Sequence, residues 1–336
     1  MHDPLLRVEN LTARLATPVG DWPIIQDVSF SLKRGKVLCL VGESGCGKSV
    51  TARAILRLLD WPLHIAQGSR ILFGGRDLCI LPEREVRALR GSNVAMIFQE
   101  PMSSLNPVKR VGDQVAETLI LHRGLSRRDS HDRAILLLRH VGIPVPERRV
   151  RQFPHELSGG MQQRAMIAMA LACDPEILIA DEPTTALDAT IQAQILDLLR
   201  NLRDTRDMGI LLITHDLGVV AEMADDIAVM YAGRIVEYGT VEQVLTSPQH
   251  PYTEQLLRSV PRLGMPRDQP LAMIGGTVPS PRERRPGCAF APRCSLALDS
   301  CTVTPSPPFF GTTTHVAACW LCDGGARATR GVWEGT

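Results

Sequence analysis

Apolar residues along this chain fall into two recurring patterns. Short unbroken runs, Val37-Leu38-Cys39-Leu40-Val41, Ile177-Leu178-Ile179-Ala180 and Ile210-Leu211-Leu212-Ile213, have the length and branched content of strands buried on both faces. Residues 94–98 form a fourth strand-like run. Between the runs, apolar and polar positions interleave at helical spacing. Residues 50–59 are helix-compatible until Asp60-Trp61-Pro62 stops them. Residues 112–141 turn helical, with Leu136, Leu137, Leu138 and Val141 set among Arg and Asp residues. Residues 159–173 read as another helix. Residues 190–203 place Ile191, Ile195, Leu198, Leu199 and Leu202 on one helical face. Residues 6–11 and 28–32 read as strands of an antiparallel layer, separated by the turn-like Thr17-Pro18-Val19-Gly20-Asp21. Residues 227–231 and 234–238, split by Ala232-Gly233, read as a hairpin. Strands alternating with helices predict an α/β fold with a helical insertion near residues 102–160.

After Gln249 the periodic segments end and prolines become frequent, at 251, 261, 266, 270, 279, 281 and 286. A loop-rich appendage is expected there, so the chain divides into residues 1–249 and 250–336. No internal repeat is present, so the chain holds a single such α/β unit and not two. Lys and Arg number 37 against 36 Asp and Glu, so no global basic field supports nucleic-acid binding. No apolar run approaches the roughly 18 residues needed to span a bilayer. Met1-His2-Asp3-Pro4 lacks the basic and apolar regions of a signal peptide. The expectation is a soluble or peripheral cytoplasmic protein, any membrane role coming through partners.

The chemistry starts at Gly42-Glu43-Ser44-Gly45-Cys46-Gly47-Lys48-Ser49, which matches the phosphate-binding loop pattern G-x-x-x-x-G-K-[ST]. It follows a strand-like run and precedes a helix, the context that makes the match specific. Glycines let backbone N–H groups converge on phosphate oxygens, and the helix N-terminus adds partial positive charge. Lys48 would reach the β- and γ-phosphates and Ser49 would ligate Mg²⁺. A nucleoside triphosphate, ATP being the ordinary one, is the expected ligand.

Leu157-Ser158-Gly159-Gly160-Met161-Gln162-Gln163-Arg164 closely resembles the signature motif of ATP-binding cassette (ABC) ATPases, with Met161 standing where Gln is usual. The resemblance extends over residues 5–320. It implies a P-loop ABC ATPase cassette: a RecA-like core, an antiparallel β layer, a helical subdomain over about 102–160, and a small cysteine-containing C-terminal extension. It also implies site roles. Gln99 would ligate Mg²⁺ and sense the γ-phosphate. Asp181 would hold Mg²⁺ through water, and Glu182 would act as general base. Asp188, in Ala186-Leu187-Asp188, would couple two ATP sites, and His215 would contact the γ-phosphate. Ser158, Gly159 and Gly160 would close on ATP bound to another cassette, so the implied working unit is a dimer. The segment from Phe98 to Pro107 is especially similar to the peptide-importer branch. One position departs from the pattern. The aromatic that usually stacks on adenine falls near Leu15, which predicts weaker or less base-selective binding unless Trp22 substitutes.

Five of nine cysteines, Cys288, Cys294, Cys301, Cys319 and Cys322, crowd into the last 49 residues. His250-Pro251-Tyr252-Thr253 and Gly287-Cys288-Ala289-Phe290-Ala291-Pro292-Arg293-Cys294 resemble the C-terminal extension of oligopeptide, dipeptide and nickel importer ATPases. Four thiolates can hold an iron–sulfur cluster, and the resemblance implies a [4Fe–4S] cluster on Cys288, Cys294, Cys301 and Cys319. Zinc, disulfides and free thiols are the alternatives. The implied function is ATP hydrolysis powering import of peptides or related small solutes, nickel included. The implied partners are two membrane permeases, a second and non-identical ABC ATPase, and an extracytoplasmic binding protein, with the chain peripheral on the cytoplasmic face of the plasma membrane. A DNA-repair or translation ABC ATPase is the different-class alternative. Only about 108 residues separate Ser49 from Ser158, too few for a repair-type coiled coil, and translation types usually carry two cassettes. A regulatory subunit that binds ATP without hydrolysis is a third reading, against which Glu182 and His215 stand.

Overall fold

The computed structural model describes residues 3–100, 104–185, 187–260, 274–303 and 305–323. Residues 1–2, residues 101–103 of the peptide-importer-like segment, Ala186, Pro261, Pro266, Pro270 and the extension beyond residue 323 lie outside the described residues. The chain divides into two compact units. One comprises Met1–Lys33, Val37–Ile80 and Thr214–Thr336, the other Arg34–Lys36 and Leu81–Ile213.

The first unit opens with strands β1 (Leu6–Thr17) and β2 (Gly20–Leu32), paired antiparallel from Leu6 opposite Leu32 to Thr17 opposite Gly20. Both run well past the stretches that alternation predicts. The pairing register shifts between Val8 and Leu11 and again at Ala13. Such bulges break the two-residue period, so the sequence pattern fades while the ladder continues. Strand β3 (Val37–Val41) is buried along its whole length. Helix α1 (Lys48–Ile55) ends earlier than expected, because Arg57 already sits at a φ of 52° that no helix accommodates. Strands β4 (Leu63–Ile65) and β5 (Arg70–Phe73) both pair antiparallel with β1, and β6 (Arg76–Asp77) returns along β5.

The second unit holds α2 (Glu83–Leu89), β7 (Val94–Ile97), α3 (Val111–Arg123), α4 (Arg127–His140), α5 (Pro146–Arg149), α6 (Gly159–Ala170), β8 (Ile177–Asp181), α7 (Ala189–Arg206) and β9 (Gly209–Ile213). Strands β7, β8 and β9 form a parallel set, their apolar runs buried on both faces. The helical stretch expected over 112–141 is two helices. Gly124 ends α3 at a φ of 64°, and Ser126 caps α4 by accepting from the Asp129 N–H at 3.2 Å. Leu137, Leu138 and Val141 are buried as expected, whereas Leu136 faces outward.

The chain then returns to the first unit through α8 (Leu217–Met223), β10 (Asp226–Tyr231), β11 (Arg234–Thr240), α9 (Val241–Thr246) and α10 (Pro251–Arg258). Strand β10 lies parallel to β3 and forms the expected antiparallel hairpin with β11. The proline-rich appendage contributes two short strands, β12 (Phe310–Gly311) and β13 (Val316–Ala317), and β13 extends the sheet at β11. Fully buried Glu237 on β11 ties the appendage down. Its carboxylate accepts from the N–H groups of Gln249 (2.8 Å) and His250 (2.9 Å), and it lies 2.8 Å from His315 Nε2. Phe290 buries its ring against Tyr231 and Tyr252, at 5.2 and 5.4 Å between centroids. The α/β architecture is the one the sequence predicts. Among the described residues no helix is long and apolar enough to cross a membrane.

The cysteines of the appendage correct one expectation. A [4Fe–4S] cluster on Cys288, Cys294, Cys301 and Cys319 is not supported. Among the described residues no group of three or more His, Cys, Asp or Glu side chains is arranged to hold a metal ion. Local bonding accounts for this. Cys319 is hydrogen-bonded to Cys322, whose thiol donates to the Gln249 carbonyl at 3.6 Å. Burial pushes the Cys288 thiol up to about 11 and raises Cys294 as well, while the Cys322 contact raises Cys319. Burial thus favours the neutral thiol at Cys288 and Cys294, whereas ligation uses thiolates. No cysteine is in a disulfide.

Candidate functional site

The phosphate loop is shaped by contacts that leave no room for side chains. Gly42 has a φ of 151°, and a Cβ there would meet the Met230 carbonyl oxygen of β10 at 2.2 Å. Gly47 has a φ of 110°, and its Cβ would meet Ile25 Cγ2 of β2 at 2.6 Å. Glycine is required at both for conformation and for close approach. The loop is tied to the β10–β11 turn where the Gly233 N–H donates to the Cys46 carbonyl at 2.8 Å. Gly47 stands at the N-cap of α1, so Lys48 and Ser49 begin the helix, and no acidic residue occupies its first turn. That leaves the positive end of the helix dipole uncompensated by a side chain of its own turn.

Lys48 is 6 % exposed, and its ammonium donates to the carbonyls of Gly42 (2.8 Å) and Glu43 (3.0 Å), with Cys46 Sγ at 3.8 Å. Burial pushes the Cys46 thiol up, so it adds no negative charge. The carboxylate nearest in sequence, Glu43, is committed elsewhere, in an ion pair with Arg293 at 3.0 Å. A buried ammonium satisfied by neutral acceptors is poised for an anion. Ser44 and Gly45 at the loop tip are exposed. On the first unit, too, Leu15 lies directly opposite Trp22 in the β1–β2 pairing, and Arg282 sits 6.0 Å from the Trp22 ring. His215 is exposed on the short link before α8, where Asp216 caps the helix by accepting from Gly218 N–H at 2.8 Å.

In the second unit, Asp181 ends β8 and is 2 % exposed. Glu182 follows at a φ of 48°, a left-handed conformation costly for a side-chain-bearing residue and typical of functional turns. Two donors orient its carboxylate. Gln99 Nε2, just beyond β7, lies 3.2 Å from Glu182 Oε2, and Thr185 Oγ1 lies 2.9 Å from the same oxygen. The structure thus brings Gln99, Asp181 and Glu182 to the ends of adjacent parallel strands. Ser158 caps α6, accepting from the Met161 N–H at 3.4 Å, and with Gly159 it is exposed. Asp188 caps α7 through the N–H groups of Thr190 (3.1 Å) and Ile191 (3.0 Å).

Some residues that shape the site were given no role by the sequence, although Gln163, Tyr252 and Arg293 stand inside the family-like segments. Gln163, 2 % exposed in α6, donates from Nε2 to the Pro183 carbonyl at 2.6 Å, one residue beyond Glu182. Thr185, Tyr252 and Arg293 likewise contact the loop or the acid pair from positions that periodicity cannot single out.

Known proteins show the same organisation. Residues 25–185 match the ABC transporter family, and residues 236–301 match the C-terminal region of oligopeptide/dipeptide transporters. A dipeptide transport ATP-binding protein of Bacillus subtilis (strain 168) is 46 % identical over 334 residues, covering 99 % of this chain and 98 % of its own. An oligopeptide transport ATP-binding protein of the same organism is 50 % identical over 317 residues, covering 94 % and 88 %. Among solved structures, a dimeric ATP-binding cassette in a post-hydrolysis state with ADP and Pi superimposes with a TM-score of 0.63 at 26 % identity, covering 70 % of this chain and 98 % of that one. A glycine loop with a buried lysine, an acid pair ending a parallel strand and likeness over nearly the whole length place this chain in the family of ABC transporter ATP-binding proteins.

Proposed function

We propose that this chain is the ATP-hydrolysing subunit of an importer of di- or oligopeptides. The observation that carries the nucleotide part is Lys48, a buried ammonium held on loop carbonyls at the dipole-positive end of α1. That is the environment a triphosphate would neutralise. The peptide part rests on relatives whose likeness runs through both the cassette and the C-terminal region.

In this reading residues 1–249 form the nucleotide-binding domain and residues 250–336 the extension. The loop from Gly42 through Glu43, Ser44, Gly45, Cys46 and Gly47 wraps the phosphates, and Lys48 binds the β- and γ-phosphates. Ser49, Gln99 and Asp181 are the Mg²⁺ ligands, direct or through water. Mg²⁺, when bound, neutralises charge on the phosphates as the terminal bond breaks. Glu182 takes the proton of the attacking water, and His215 contacts the γ-phosphate. Ser158, Gly159 and Gly160 serve the site of a paired ATPase subunit, and Asp188 couples the two. The pair, a heterodimer, works beneath two permeases on the cytoplasmic face of the membrane, supplied by an extracytoplasmic binding protein. A basic cavity of about 750 Å³ in the second unit, lined by Arg84, Arg87, Arg90, His122 and Arg123, is a candidate permease contact.

Reconstitution of the complex in proteoliposomes tests the proposal. ATP-dependent uptake of a radiolabelled dipeptide or oligopeptide, lost in Lys48→Ala, is expected. ATP hydrolysis that persists with no uptake of any member of a peptide library would sink the peptide assignment.

A further inference from the structure

The appendage reaches the phosphate loop through Arg293 and Tyr252, and the hydrogen bonding of the arginine is complete. Arg293 follows the aromatic Phe290, whose ring is locked between Tyr231 and Tyr252. Its side chain is only 5 % exposed. A guanidinium has five N–H donors, and here there are five acceptors. Nε donates to the Gly275 carbonyl at 2.7 Å. Nη1 donates to Glu43 Oε1 at 3.1 Å and to the Tyr231 hydroxyl at 3.2 Å. Nη2 donates to Glu43 Oε2 at 3.0 Å and to the Ile274 carbonyl at 3.2 Å. Glu43, the first residue after Gly42, is therefore gripped on both carboxylate oxygens by a residue 250 positions away. Its backbone is held as well, since the Glu43 N–H donates to the Tyr252 hydroxyl of α10 at 2.9 Å.

We propose that Arg293, together with Tyr252, is a positioning residue that sets the phosphate loop for ATP from the C-terminal extension. The inference rests on the nucleotide reading above. Bidentate arginine–carboxylate pairs fix orientation as well as distance. The Glu43 N–H shares one rigid peptide plane with the Gly42 carbonyl, so holding it fixes where that carbonyl points, and that carbonyl accepts from Lys48 at 2.8 Å. The clamp also keeps the Glu43 carboxylate engaged with a guanidinium, away from the charge that Lys48 presents to phosphate. Loop geometry, and with it nucleotide affinity, thus depends on the docking of a segment that contributes no atom to the phosphate-binding motif.

Arg293 would act on binding rather than on the chemical step, and this separates it from a merely structural role. Equilibrium titration with mant-ATP and steady-state ATPase assays on the full chain in its transporter complex test it. Arg293→Gln should raise the mant-ATP Kd about tenfold, with kcat at saturating ATP within about twofold of wild type, and Glu43→Ala should raise the Kd by a similar factor. Arg293→Lys, which keeps charge without the fork, should fall between. The double variant should bind no more weakly than the weaker single. An unchanged Kd in Arg293→Gln, or a double variant whose losses multiply, overturns the proposal. If Arg293→Gln does not fold, Tyr252→Phe and Glu43→Ala with wild-type melting temperatures decide it by the same Kd criterion. Absence of mant-ATP binding by the wild type would instead overturn the nucleotide reading.

Discussion

Gln99 Nε2 donates to Glu182 Oε2 across 3.2 Å, joining the residue beyond one core strand to the acid that follows its neighbour. Thr185 holds the same oxygen at 2.9 Å. The carboxylate is thus oriented before any water is presented to it, as a positioned base requires. Glu182→Gln preserves size and removes basicity. Hydrolysis should fall by about 10²–10⁴-fold in single-turnover assays, while ATP still drives subunit association seen by size exclusion. Undiminished turnover would remove Glu182 from the general-base role.

Gln163 carries the next prediction. It is buried in α6 and donates to the Pro183 carbonyl at 2.6 Å, bracing the turn in which Glu182 holds its φ of 48°. Gln163→Leu leaves that carbonyl without its side-chain donor, at a cost of about 1–3 kcal/mol. A lower melting temperature is expected together with a several-fold lower kcat and a KM within about twofold of wild type. A lower melting temperature with unchanged kcat would show that Gln163 supports the fold alone.

The adenine end is tested at Leu15. Its cross-strand neighbour is Trp22, which already has Arg282 near its ring at 6.0 Å. Leu15→Phe adds an aromatic face where the family commonly has one, and stacked rings contribute about 0.5–1.5 kcal/mol. ATP affinity should rise several-fold, and the preference for ATP over a ribose triphosphate lacking a base should widen. Equal ATP affinity in the two proteins would count against any role for position 15.

Several features were legible in the residues because local physics decides them. The unbroken apolar runs of β3, β8 and β9 are strands that nothing but a buried sheet accommodates. The glycines of the loop are needed where a Cβ would strike Met230 or Ile25. Other features were hidden because distance decides them. The length of β1 and β2 was masked by bulges that reset the alternation. The break at Gly124 was masked because apolar spacing continues through both flanking helices. Arg293 and Glu43 meet only after the chain has folded back across 250 positions. The cysteines misled because family likeness carries residue identity, whereas among the described residues no group of His, Cys, Asp or Glu side chains is arranged to hold a metal ion.

The base of the appendage is sensitive to acid through one buried histidine. His250 is 1 % exposed, and its Nδ1 accepts from the Tyr252 N–H at 3.1 Å to cap α10. Its Nε2 is buried with no hydrogen-bond partner among the described residues. Burial lowers its pKa to about 4, a shift only partly opposed by the charge of Glu237. An unfolded histidine titrates near 6.5. Between those values the unfolded chain binds the extra proton, so stability falls as pH drops from about 6.5 toward 4. The neutral imidazole's contribution is fully present above 6.5 and amounts to about 3 kcal/mol at most. His250→Asn keeps a capping acceptor and removes the titration. Urea unfolding at pH 7 and pH 5 should show wild type losing more stability than the variant across that interval. Equal losses would mean that His250 does not carry the acid sensitivity of the appendage.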